Sequence, residues 1–318
     1  MMVAAFQGMT NLIEYDFEWR DLPLNPATRS FIPSNSATLL SLQKLVLHAQ
    51  LPQFKDIFSQ FMLKLPNLQD LDLYFDYTPP FTTAVATPSE ITHDFILKDA
   101  ILTTVIAPFI TSLRPSLSSL TISSSAAGDH SCLFNSLGQD SFPHLHVLAV
   151  RIPFDNDHLS DTEGLVRLLQ TNAATLLHIE LWPGGNGEIT LEKGGPWSRL
   201  SQVCRSLTFL MVFTNLESLT VPVHELQFTL SLVKRSANTL NSLCLLGKLL
   251  TEDEVREVIQ VFNEVNGGKL KKLDICVKNL TPATVGLLAA GLPALWALGL
   301  ILDKDFKVSH ILSNNSSL

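Results

Sequence analysis

Leu65-Pro66-Asn67-Leu68-Gln69-Asp70-Leu71-Asp72-Leu73 carries an apolar-x-x-apolar-x-apolar skeleton at Leu68, Leu71 and Leu73. The same skeleton returns as Leu292-Pro293-Ala294-Leu295-Trp296-Ala297-Leu298-Gly299-Leu300. Ten windows fit it, starting at Leu12, Leu42, Leu68, Leu117, Leu145, Leu176, Leu216, Leu240, Leu270 and Leu295. Successive starts lie 24 to 31 residues apart, except for two longer steps of 49 and 40. One such window in a leucine-rich chain means little; ten near one spacing mean a repeat.

Between the windows the apolar period changes from two to that of a helix. Phe54, Ile57, Phe58, Phe61, Met62 and Leu65 fall on one stripe. Ser160-x-x-Glu163 and Thr251-x-x-Glu254 read as capping boxes, and Thr281-Pro282 opens a helix that Gly291 closes. A strand followed by a helix and a second parallel strand requires a crossover. One parallel sheet with helices along its other side follows.

The chain has 318 residues, of which 46% are hydrophobic and 16% charged, with a mean hydropathy of +0.24. The apolar content suits a long stacked core. A net charge of −8 opposes the phosphate backbone, so nucleic acid is excluded as a partner. Four scattered cysteines form no C-x-x-C pair and fit a reducing compartment, cytoplasmic or nuclear. Thr281 to Leu302 is uncharged and long enough to cross a bilayer, yet Gly291, Pro293 and the repeat register divide it. No membrane span is expected.

Taken together, the windows and helices resemble leucine-rich-repeat proteins of the ribonuclease-inhibitor-like class. More narrowly, they resemble the repeat portion of fungal F-box/leucine-rich-repeat proteins. The resemblance implies an α/β solenoid, a parallel concave sheet with helices on the convex side. It would be one irregular array of about ten repeats over 1–318. Insertions are expected near 76–92, 123–141 and 183–196, and a tail at 303–318. It also implies a non-catalytic protein-binding scaffold, in its specific form the substrate-recognition part of an F-box-type ubiquitin ligase adaptor. The alternatives are a free-standing scaffold or a hydrolase built on the loops. Two departures stand out. The family's Asn or Cys three residues after the third apolar position is replaced in every window, for example by Gln50, Asp76 and Lys278. Only eleven residues precede Leu12, too few for an F-box, so direct binding to a Skp1-type adaptor is not expected.

Alternation along each strand assigns the partner-facing residues. The apolar positions face the core, so the residues flanking the last two line the opposite face. These include Glu14, Asp16 and Glu18; Lys44 and His48; Asp70, Asp72 and Tyr74; Arg151; and His178, Glu180 and Trp182. The face grades from acidic and aromatic through small hydroxyls to apolar, and its acidic end suits a basic protein face. No cofactor or metal is expected, because no metal-ligand spacing occurs. Asp129-His130-Ser131-Cys132 sets triad-type residues side by side, but adjacency in sequence is no evidence for a converging relay.

Overall fold

The computed structural model describes residues 11–18, 40–61, 65–76, 97–124, 128–182, 199–210, 213–223, 225–264 and 270–302. Ten parallel strands form one sheet in strict sequence order. They are β1 (Glu14–Glu18), β2 (Lys44–Gln50), β3 (Asp70–Asp76), β4 (Ser119–Ser124) and β5 (Val147–Arg151). Then come β6 (His178–Trp182), β7 (Ser218–Pro222), β8 (Ser242–Leu250), β9 (Lys272–Val277) and β10 (Ala297–Leu302). Eight α-helices are described: α1 (Phe54–Phe61), α2 (Ala107–Ser112), α3 (Ser131–Leu137), α4 (Glu163–Thr171), α5 (Leu200–Leu210), α6 (Leu226–Ser236), α7 (Glu252–Glu264) and α8 (Pro282–Gly291). The chain divides into two compact units, β1–β5 with α1–α4 and β6–β10 with α5–α8, the boundary falling between Asn172 and Ala173.

Within the first unit, Tyr15, Leu45, Leu71, Leu120 and Leu148 stand opposite one another. These are the middle apolar residues of the first five windows, and all are buried. In the second unit Ile179, Leu219, Leu243, Leu273 and Leu298 align in the same way. Only Leu298, on the last strand, is partly exposed. Behind β3 the helix stripe becomes an aromatic core. Phe58 stacks on Phe109 with centroids 3.8 Å apart, and Phe54 meets Phe75 edge-on at 6.2 Å. Burying such rings supplies much of a small core's hydrophobic stabilisation.

Within each unit, backbone hydrogen bonds hold strand entries to the strand before. The Gln43 and Lys44 amides both donate to the Ile13 carbonyl, and the Gln69 and Asp70 amides to that of Gln43. Ser118 and Ser119 then use Gln69, and in the second unit Lys271 and Lys272 use Asn241. A second set of bonds comes from the residue just ahead of four of the windows. Ser41 Oγ donates to Leu12 O, Asn67 Nδ2 to Leu40 O, Asn215 Nδ2 to Ala174 O and Thr239 Oγ1 to Leu216 O. These side chains stitch successive turns where the family's Asn or Cys column is missing. Asn172, 1% exposed, accepts the Phe142 amide and donates to Leu168 O, both at 2.7 Å.

Two local expectations are corrected. The Ser160–Glu163 capping box does not form, because the Ser160 hydroxyl bonds the Asp129 carboxylate instead. Helix α4 then starts with Asp161 Oδ1 accepting the Glu163 amide. Residues 123–141, expected as an inserted loop, contain α3. The other two expected insertions, from 77 onward and at 183–196, and the tail at 303–318 lie outside the described residues. The Thr251–Glu254 box does form, each side chain accepting the other's amide. Thr281 likewise caps α8, accepting the Thr284 amide at 3.0 Å. Among the described residues no helix is long and apolar enough to cross a membrane.

Leu71 is 1% exposed, while Asp72 beside it lies on the opposite, partly open face. Leu71→Asp therefore buries an unpaired carboxylate and should cost several kcal/mol, about 3 or more. Asp72→Asn should stay within about 0.5 kcal/mol of wild type. Thermal melts that rank the two otherwise would overturn the register.

Candidate functional site

The face opposite the apolar residues is ordered in rows by the strand register. In the first unit one row reads Glu14, Lys44, Asp70, Ser119 and Val147, and the next Asp16, Val46, Asp72, Thr121 and Ala149. The third reads Glu18, His48, Tyr74, Ser123 and Arg151. The acidic residues assigned from alternation are thus brought together over three adjacent strands.

Glu14, Asp16 and Glu18 are exposed on β1. Lys44 reaches back to Glu14, Nζ to Oε1 at 2.5 Å, and this hydrogen bond and its charge raise the lysine pKa. The His48 and Tyr74 rings lie 4.9 Å apart, tilted by 32°. Asp72 is half-buried below them, and burial raises its carboxyl pKa, while Arg151 and then His48 pull it down. Asp70 accepts from Ser118 Oγ at 3.4 Å. The arrangement offers negative charge beside a flat aromatic pair.

His178, Glu180 and Trp182 lie in the second unit, on β6. His178 and Glu180 face Ser218 and Thr220 across the register, and Trp182 ends the strand. They are not part of the acidic rows. The rest of this face runs through Ser242 and Cys244 to Lys272 and Asp274, which pair at 3.0 Å, and then to Ala297, Gly299 and Ile301. Gly299 carries no side chain where the Asp274 carboxylate lies over the strand, and a Cβ there would collide with it.

The Asp129–Cys132 stretch serves as a brace. Asp129 accepts from the Ser131 hydroxyl and amide and from the Ser160 hydroxyl and amide, which ties the start of α3 to the segment before α4. These bonds outweigh burial and lower the Asp129 pKa. The Ser131 hydroxyl also accepts the Asp161 amide at 2.9 Å. His130 is fully buried, its Nδ1 3.3 Å from His158 O, and burial lowers its pKa to about 3. Burial and nearby carboxylates push the Cys132 thiol up to about 12, so it stays protonated at neutral pH. No group of three His, Cys, Asp or Glu among the described residues is placed to hold a metal.

Sequence reasoning missed the polar column of Ser41, Asn67, Asn215 and Thr239, although a polar residue ahead of successive windows was its signal. It also missed Lys98, which no motif marks. Lys98 is 1% exposed, its Nζ has no hydrogen-bond partner, and it packs against Gly128, whose φ of +127° suits only glycine. Burial lowers its pKa to about 8, against the pull of Cys132, Asp99 and Asp129. The unfolded chain therefore binds more protons between about pH 8 and the ordinary lysine value of 10.5, and stability rises with pH across that window. Lys98→Met should stabilise the protein by roughly 1–3 kcal/mol at pH 7, with the gain shrinking from about pH 8 and gone above 10.5. Denaturant titrations at the two pH values check both the sign and the window.

No family model matches the chain, and no curated protein sequence matches it. Among solved structures it is similar to the leucine-rich-repeat-containing protein LegL7 from Legionella pneumophila, at 14% identity and a TM-score of 0.50. That match covers 99% of this chain and 90% of LegL7. A Bacteroides fragilis protein aligns over 95% of this chain and 77% of its own, at 10% identity and a TM-score of 0.43. Ten parallel strands in one sheet, the interleaved helices and the likeness to LegL7 make this an α/β leucine-rich-repeat solenoid.

Proposed function

We propose that the chain is a non-catalytic protein-interaction scaffold whose partner presents a basic face to β1–β3. One observation carries this reading. Register places five carboxylates, Glu14, Asp16 and Glu18 on β1 and Asp70 and Asp72 on β3, on either side of β2, with Lys44 of β2 among them and the His48–Tyr74 pair at their edge. Neighbouring strands lie about 4.8 Å apart and residues two apart on one strand about 7 Å. Several of these charges therefore fall within a Debye length of about 8 Å at physiological salt. Their potential favours a cationic partner and repels nucleic acid. Aromatic rings beside the charge supply the contact area that interface anchors need. Arg151 closes the third row, and His178, Glu180 and Trp182 give the second unit a separate polar and aromatic contact.

The specific form of this reading comes from the sequence resemblance. It makes the chain the substrate-recognition part of an F-box-type ubiquitin ligase adaptor working in the cytoplasm or nucleus. A free-standing scaffold of the same fold is the alternative. A purified Skp1-type adaptor mixed with this chain separates the assignments of surface. Absence of binding is expected, and micromolar binding would place an adaptor site in the repeats. Affinity capture followed by mass spectrometry supplies the partner itself. Charge reversal at Asp16, Asp70 and Asp72 together should then slow its association about tenfold or more. Wild-type affinity should fall as salt rises. A partner that binds the reversed variant as tightly across the salt range would put the contact elsewhere.

A further inference from the structure

Among the described residues the strand order ends at β10, and one edge of that strand has no described neighbour in the sheet. Edge strands are ordinarily protected by lysines, prolines or inward charges. Here no charged residue occurs from Thr281 to Leu302. The strand and its approach are instead openly apolar: Trp296 is 62% exposed and Ile301 48%. Helix α8 adds Val285, 38% exposed, and a shallow groove runs from it to Leu295 and Leu298.

We propose that β10 pairs with β10 of a second copy, giving an isologous dimer through the C-terminal repeat. Charge decides between the possible partners within the same molecule. A two-fold contact sets a surface against itself, which an uncharged strand tolerates without like-charge repulsion. The strand at the other end of the described sheet, β1, exposes Glu14, Asp16 and Glu18 and would repel its own copy. Setting β10 on β1 would bury carboxylates against Ile301 and Trp296, and as a head-to-tail contact would not close.

Strand parity narrows the register. Residues opposite one another in an antiparallel pair share a face, and a slip by one residue inverts the faces. Leu298 and Leu300 must remain on the helix-covered side in both copies, so the axis passes through Gly299 or Leu300. In the first case Ile301 packs over Ala297 of the second copy on the open face. Either way the α8 helices, with Val285, approach each other on the covered side.

Sedimentation equilibrium of the full chain across the micromolar range, with residue-resolved hydrogen exchange over 297–302, tests this. A reversible monomer–dimer equilibrium is expected, with protection of the β10 amides rising as protein concentration rises. Ile301→Lys enters a two-fold interface twice and should weaken dimerisation about tenfold or more. Trp296→Lys, at the most exposed position, repeats the test should Ile301→Lys lower the melting temperature. A chain that stays monomeric throughout overturns the proposal. So does β10 protection that is independent of concentration, which would mean that the chain's own residues cover the edge. A dimer that survives both substitutions overturns it as well.

Discussion

Everything in this protein depends on keeping one alternation in register from strand to strand. Tyr15, Leu45, Leu71, Leu120 and Leu148 share one row, so their neighbours must share the opposite face. A slip of one residue at β3 would bury Asp70, Asp72 and Tyr74 and expose Leu71 and Leu73. Desolvating two carboxylates without partners costs far more than a strand of this length gains. The pairing of amides on single carbonyls, such as Gln43 and Lys44 on Ile13, starts each strand at the position this alternation requires.

That constraint also makes the surface legible as rows. Because strands stack in sequence order, residues distant in the chain become neighbours through window position alone. Glu14 and Asp70 face Lys44 from either side, and Glu18, His48, Tyr74 and Arg151 share a line. The acidic end, the His48–Tyr74 pair and the apolar last strand are therefore products of one repeat drawn with different side chains. Binding by such a surface asks nothing of the core that the repeat does not already supply, and its specificity can change without refolding.

Much of this could be read before the structure. The ten windows mark the ten strands, because a buried middle residue must recur whatever lies between. Thr251–Glu254 and Thr281–Pro282 begin helices as their chemistry demands. Competing local bonds account for the misreadings. Ser160 has a stronger acceptor in Asp129 than in its own helix, and residues 131–137 form α3, packed against α4, despite their loop-like surroundings. The stitching of Ser41, Asn67, Asn215 and Thr239 needed the geometry, since a donor to a carbonyl of the preceding turn looks like any polar residue in sequence. Lys98 is illegible for the same reason: only the packing around Gly128 shows that its ammonium is buried and without a hydrogen-bond partner.

The most direct test of the register is a cysteine scan along β3. With Cys132, Cys204, Cys244 and Cys276 replaced, a single cysteine is placed in turn at 70, 71, 72, 73 and 74, and labelled by a water-soluble thiol reagent. The alternation predicts ready labelling at 70, 72 and 74, with labelling at 71 and 73 only when the protein unfolds. Uniform labelling along the strand, or fast labelling at 71 and 73, would contradict the register and every surface assignment built on it.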